Sequence, residues 1–328
     1  MLSLRRGTVT AIAERHDGFV RLEVDGRACV AYPDLTGPVA LGDDVLVNDQ
    51  AVELALGSGG FDVLHANLTR GLGLPPEPGA HVMKLPYTSL QHAVVHAEEE
   101  AGDGDPSGTP VVCCSVHSQL APVCAGLGRE ASVAYVQLPG GALPVALSDT
   151  VRLLRREGYL GASVAVGPCF GGDSACVSPA SALRACATAG MEAVVCSVGP
   201  GLVGTGSRYG HGGLAAADAA NAAAALGASP ILVARVSDAD PRGRHHGLSH
   251  HTLAAADLVT GPLTVAWPAQ LEPPPGLPAA ETVDASGWQE ACAALPLSHM
   301  GRGPDEDPAF FAAAYAAGAL ARTRVRRP

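Results

Sequence analysis

The stretch Ala193–Gly213, AVVCSVGPGLVGTGSRYGHGG, joins a short apolar run to a glycine-rich loop, and an alanine-rich segment follows it. AVVCSV has no polar face, so it reads as a strand buried on both sides. Leu214–Leu226 then reads as a helix. A buried strand, a glycine loop and a helix are the repeating parts of a parallel α/β sheet.

The same rhythm extends in both directions. Val111–Val116 (VVCCSV), Ser132–Leu138, Ala162–Gly167, Ile231–Val236 and Leu263–Trp267 are strand candidates. Helices are expected over Leu90–Glu100, from the Ser148-Asp149 cap to Arg156, over Ser178–Ala189 with Ser178 as N-cap, and over Pro308–Ala321. Residues 1–70 differ: GTVTAIAE, FVRLEV, RACVAY, DDVLVN and VLHANL are short β-rich runs, and Asp25-Gly26 marks a hairpin turn. The expected fold is α/β: a small N-terminal β-barrel (1–70), a Gly/Pro-rich linker (71–80), then a mostly parallel sheet covered by helices on both faces (81–328). The segments 101–109 and 271–281 and the tail RTRVRRP read as solvated.

Composition narrows the function. The 328 residues carry a net charge of −11, 47% hydrophobic and only 4% aromatic residues. Residues 1–70 hold six Arg against ten Asp or Glu, with Phe19, Tyr32 and Phe61 as their aromatics. A nucleic-acid partner would need a basic face and stacking rings, so none is expected. The nine cysteines include no CxxC pair and several lie in apolar runs, which suits buried thiols in a reducing cytoplasm. There is no apolar leader and no uninterrupted membrane-length span, so neither secretion nor membrane insertion is expected.

Ligands of parallel sheets bind beyond the carboxyl ends of the strands. Three loops follow strands: 167–173 (GPCFGGD), 199–213, and 237–252 (SDADPRGRHHGLSHHT). The second contains Gly199, Gly201 and Gly204 in a G-x-G-x-x-G order, but Pro200 interrupts it and the strand-end acids Asp238 and Asp240 come nearly forty residues on rather than about twenty, so a nicotinamide site is a poor fit. With Thr205 and Gly206 the loop could supply backbone donors to an anion, or its glycines could serve only close packing. Lys84, Arg208 and Arg244 could neutralise charge. Cys169 could be a nucleophile or an inert thiol. Asp173, His246 and His250 could do acid–base work. His246, His250 and Asp240, with Asp238 and His211 near in sequence, could hold a divalent metal. The third loop thus stays open between a metal site, an anion site and a structural turn. Ser249 should cap a helix whose first turn holds His250 and His251, a position that favours neutral imidazoles.

The motifs HVMKLPYTSLQ, GPCFGGDSACV, VGPGLVGTGSRYGHGG, RVSDADPRGRHHGLSHHT and HMGRGPDED resemble those of the bacterial family filed as domain of unknown function 3866. The resemblance spans nearly the whole chain, with Pro86 and Cys169 as departures. It implies a soluble bacterial protein of two parts and no particular activity. The expectation from the residues is an enzyme acting on a small anionic, even phosphorylated, molecule. A non-catalytic nucleotide- or metabolite-binding regulator and a structural subunit stand as alternatives, and a homo-oligomer is compatible with each.

Overall fold

The computed structural model describes residues 2–55, 60–100, 102, 104–275, 277 and 279–326. Ala101, Asp103, Gly276 and Pro278 of the two expected connections, and Arg327 and Pro328 of the tail, lie outside the described residues. The chain divides into two compact units, Met1–Val95 and His96–Pro328.

The first unit is built on a closed barrel of five strands in the order β1-β2-β3-β5-β4. These are β1 (Leu4–His16), β2 (Phe19–Val24), β3 (Arg27–Ala31), β4 (Asp44–Asn48) and β5 (Asp62–Asn67), with short helices α1 (Pro33–Thr36) and α2 (Gln50–Glu53) between them. All five expected strands form. Alternating residues such as Val20, Leu22 and Val24 fill the interior beside Val45, Val47 and Leu64. At the β2–β3 hairpin Asp25 and Gly26 both take positive φ, 51° and 76°, the conformation that a two-residue turn of this hand demands. Phe19 and Tyr32 are buried, so neither offers a stacking surface.

A two-stranded ribbon, β6 (Val82–Lys84) and β7 (His92–Val94), completes this unit. The helix expected over Leu90–Glu100 is reduced to the single turn α3 (Ala97–Glu100). Residues 92–94 pair with β6 instead, so a strand partner overrides local helix preference.

The second unit contains an eight-stranded sheet in the order β11-β10-β9-β12-β8-β13-β16-β17. In chain order the elements are β8 (Pro110–Cys114), α4 (Leu120–Leu127), β9 (Val133–Leu138), α5 (Asp149–Arg156), β10 (Ala162–Val166), β11 (Ser174–Cys176), α6 (Pro179–Thr188) and β12 (Ala193–Val198). Then come α7 (Ala215–Ala225), β13 (Ser229–Val233), β14 (Val236–Ser237), β15 (Gly247–Leu248), α8 (His250–Leu258), β16 (Thr264–Pro268), β17 (Ala280–Val283), α9 (Trp288–Cys292) and α10 (Pro308–Arg324). Every neighbouring pair in this sheet is parallel.

Successive residues of each strand face opposite layers. Val112 and Cys114 pack with Val195 and Tyr135 against α4, α5, α9 and α10. Val111 and Cys113 pack with Val194 and Val136 against α6, α7 and α8. Burial on both sides is why these runs have no polar face. The expected strand Ile231–Val236 splits: β13 ends at Val233, and Val236–Ser237 pairs with Gly247–Leu248 in a separate ribbon.

Helices α4 and α10 approach through glycine. A Cβ on Gly318 would stand 2.0 Å from the Val123 carbonyl oxygen, and one on Gly126 2.3 Å from that of Tyr315. Gly318→Ala must therefore push the helices apart, and we expect a loss of about 3 kcal/mol in urea unfolding, the upper end for overpacking. Gly287→Ala, whose Cβ would meet only the Tyr315 hydroxyl at 3.9 Å, should unfold within about 0.5 kcal/mol of wild type.

Among the described residues no helix is long and apolar enough to cross a membrane.

Candidate functional site

The chain leaves β8 toward α4, on one face of the sheet, and leaves β12 and β13 toward α7 and α8, on the other. Adjacent strands that send their loops to opposite faces open a crevice at their carboxyl ends. The segments after β8, β12 and β13, joined by residues 299–307, meet there.

At its base lies Arg235, two residues past β13 and only 3% exposed. Its Nη1 is 2.9 Å from Nδ1 of His251, its Nη2 is 3.4 Å from Nε2 of His299, and Nη2 is 3.8 Å from the Asp240 carboxylate. A guanidinium has donors and no acceptor. His251 Nδ1 and His299 Nε2 must therefore be the accepting, unprotonated nitrogens. His251 carries its proton on Nε2. His299 carries its own on Nδ1 and donates it to the Ser118 hydroxyl at 2.9 Å. The His299 ring stacks on Phe310 at 3.8 Å. Burial lowers the Arg235 pKa to about 10, with Arg242 and Arg302 adding to the fall and Asp240 and Asp307 opposing it.

Two buried carboxylates face the arginines. Asp240 accepts from Arg242 Nε and Nη2 at 2.9 and 2.7 Å and from Arg302 at 3.5 Å. The Arg242 hydrogen bonds hold its pKa well below the usual carboxylate range. Asp307 accepts from the Ser237 hydroxyl at 2.6 Å and from Arg302 at 3.1 Å.

Four imidazoles pack above this layer. His211 and His251 stack at 3.7 Å, His250 lies edge-on to both at 5.4 and 4.5 Å, and His245 is 4.8 Å from His250 and from His251. His211, His250 and His251 bring one ring nitrogen each within 4.8 Å of one another. Burial, with Arg235 adding to it, pushes the pKa of His245 to about 3 and that of His251 to about 2. Burial likewise lowers His211 and His250. All four are neutral near pH 7. The Ser249 hydroxyl caps α8 by accepting from the His251 amide at 3.2 Å and bonds His245 Nδ1 at 2.7 Å.

Polar atoms without partners concentrate at this crevice. Both ring nitrogens of His211, Nε2 of His250, Nε of Arg235, the Ser115 hydroxyl and one Asp307 oxygen are buried with no hydrogen-bond partner. His211 is 6% exposed. An unsatisfied buried polar group costs about 1–3 kcal/mol, so several at one site call for ordered water or a ligand.

The serine hydroxyls that meet histidines here have structural roles. Ser148, 2.8 Å from His117 Nε2, and Ser249 both spend their oxygens capping helices. Ser118 faces the protonated nitrogen of His299, which cannot take its proton.

The residues singled out from sequence divide into two groups. His250 and Asp240 lie in the crevice, yet Asp240 is committed to arginines. His246 is exposed on extended backbone, and the partners His250 acquires are His211 and His251. Arg244 is exposed on the turn Gly243–His245 and adds positive potential at His250. Gly199 and Gly212 serve backbone packing: a Cβ would meet the Leu143 carbonyl at 2.4 Å and the Gly140 carbonyl at 2.0 Å. Gly201 takes φ 71°, and Gly204 bridges to His211 in a small hairpin. Thr205, Gly206 and Arg208 lie exposed at its tip, where Arg208 pairs with Asp257. Lys84 belongs to the first unit, where it is buried in the ribbon.

Asp173 sits at the other edge of the sheet. The loop after β10 runs back to begin β11 in parallel, so Asp173 accepts from Ser163 N at 2.7 Å, near the start of β10, and pairs with Arg155. Cys169 is half-buried against the apolar layer on the α4 face. Asp173→Asn should leave anion binding unchanged and cost less than about 1 kcal/mol, as half-exposed pairs do; calorimetry and urea unfolding check both.

Sequence reasoning noted His245 and His251 within the histidine run without giving them a role, and missed Arg235, His299, Ser115 and Asp307. Of these four only Arg235 carried a readable signal, a charge at the end of the apolar run ILVARV.

A family model described as "Protein of unknown function (DUF3866)" matches residues 27–318, nearly the whole chain. No curated protein matches it.

Proposed function

The chain belongs to the DUF3866 family of unknown function, and from that premise we propose that it binds a small anionic molecule in the histidine–arginine crevice and acts on it as an enzyme. The observation that carries the reading is buried His211, with neither ring nitrogen partnered, stacked on an imidazole whose far neighbour is a buried guanidinium. Arg235, Arg242, Arg244 and Arg302 outnumber Asp240 and Asp307 around it, which favours negative charge in a ligand. A neutral imidazole can donate from one nitrogen and accept at the other. His211 and His250 are therefore the acid–base groups of the proposal, and an incoming anion would raise their readiness to take a proton.

A metal centre is the weaker reading of the same rings. His251 would have to ligate through Nε2, which places a proton on Nδ1, against the Arg235 donor.

The test is a thermal-shift screen of phosphorylated and carboxylated metabolites, followed by turnover assays on those that stabilise. His211→Ala should abolish turnover of any substrate found. Binding with no turnover of any stabilising compound would move the protein to a regulatory role, and no stabilisation by any anion would end the proposal.

A further inference from the structure

Resting on that reading, we infer that the group held by His211, His250 and His251 is a tetrahedral oxyanion, the phosphoryl group of a phosphomonoester. Two lengths decide between a metal and an oxygen. An anionic oxygen accepting three N–H bonds of about 2.8 Å allows its donors to stand up to about 4.8 Å apart. A tetrahedral metal with bonds of about 2.0–2.1 Å needs its nitrogens about 3.4 Å apart. The three nitrogens here lie within 4.8 Å of one another, a spread that an oxyanion accommodates as placed, and the near-parallel stacking of the His211 and His251 rings, 16° apart, disfavours their in-plane lone pairs meeting at a point about 2 Å away.

The donors can all be supplied. Arg235 fixes the proton of His251 on Nε2. His250 Nε2 has no partner, and neither His211 nitrogen makes a well-formed hydrogen bond, the Arg208 backbone being its polar neighbour; both rings can turn an N–H to a ligand. The Ser115 hydroxyl, at the end of β8, is a fourth unpartnered group; Ser115 and His211 flank Gly213, whose Cβ would stand 2.8 Å from the Ser115 carbonyl and 3.1 Å from His211 Nδ1.

Ring orientation separates phosphoryl from carboxylate. His250 is turned 79° from His211 and 67° from His251. N–H bonds lie in the ring planes, so donors on rings turned this far apart suit an acceptor whose oxygens do not all share one plane. A carboxylate offers two oxygens in one plane, and a phosphoryl group offers three around a tetrahedron.

The experiment is isothermal titration of the full chain, purified without chelator, with inorganic phosphate, with acetate and with zinc chloride, in a non-phosphate buffer at pH 7.5. Phosphate should bind at one site, with acetate at least about tenfold weaker for want of one charge-assisted hydrogen bond. His250→Leu should weaken phosphate by about tenfold or more, and His250→Gln, which keeps an N–H donor, should recover most of it. The His250 side chain is only half-buried, so these variants should fold, and circular dichroism checks that they do. Equal affinity for acetate would overturn the phosphoryl assignment while leaving the anion reading standing. Phosphate binding untouched by His250→Leu would overturn the location. One equivalent of zinc bound tightly, with no phosphate binding to metal-free protein, would replace the oxyanion with a metal centre. No anion binding at all would overturn both this assignment and the function proposed above.

Discussion

Arg235→Ala is expected to cost about 3–5 kcal/mol in urea unfolding, the range for removing one partner from a buried charge network, and to reduce anion affinity by at least about a hundredfold. The guanidinium joins His251 of α8 to His299 of the closing segment and faces Asp240. Without it, Asp240 and Asp307 keep Arg242 and Arg302 but lose the positive charge beneath them. His251 also loses the donor that sets its tautomer, so its proton is free to move to Nδ1, away from the ligand. Arg235→Lys keeps the charge and cannot reach both imidazoles. It should fold and bind the anion measurably more weakly than wild type. Unfolding and calorimetry on the two variants separate charge from geometry. Wild-type stability for Arg235→Ala would show that the buried network contributes no net stability.

The second large effect is acid sensitivity. His245, His251 and His299 are at most 4% exposed, and burial pushes their pKa values to about 3, 2 and 3. Above the free histidine pKa of about 6.5 these rings are neutral whether the chain is folded or not, and pH has no hold on stability through them. Below it the unfolded chain binds protons that the folded one refuses. Stability must therefore fall with pH, by about 4 kcal/mol per pH unit for three such groups, until the folded rings titrate near pH 3. Asp240, held low by Arg242, adds a further loss once pH drops below its unfolded value near 3.8. Urea midpoints at pH 7.5, 6.5 and 5.5 measure this. Stability at the first two should differ by about 1 kcal/mol, and at the third about 3 kcal/mol more should be lost. His245→Gln should flatten the acid limb by about one third. Equal midpoints at pH 7.5 and 5.5 would mean that the folded chain takes up protons on these rings as readily as the unfolded one.

Much of the architecture is legible in the residues because it rests on local periodicity. AVVCSV, VVCCSV and SVAYVQL lack a polar face because both faces are covered. Asp25-Gly26 specifies its turn through positive φ, and Ser178 and Ser249 cap the helices they precede by accepting amide hydrogens. Where a strand partner competed with local preference, as at 92–94, periodicity misled.

The site follows a different logic. The run GRHHGLSHHT announces chemistry, yet nothing in it says that His245 turns inward and His246 outward. That depends on the turn at 243–245 and on Ser249 holding His245. His211 and His299 are distant in sequence from His250 and arrive through sheet order and through the closing segment ahead of α10. Asp173 looks from its loop like a member of the same group, and parallel pairing of β11 with β10 carries it to the opposite edge. Residue types, turns, caps and buried strands are properties of neighbours along the chain. The company that each histidine keeps is a property of strand order, and only the packed sheet supplies it.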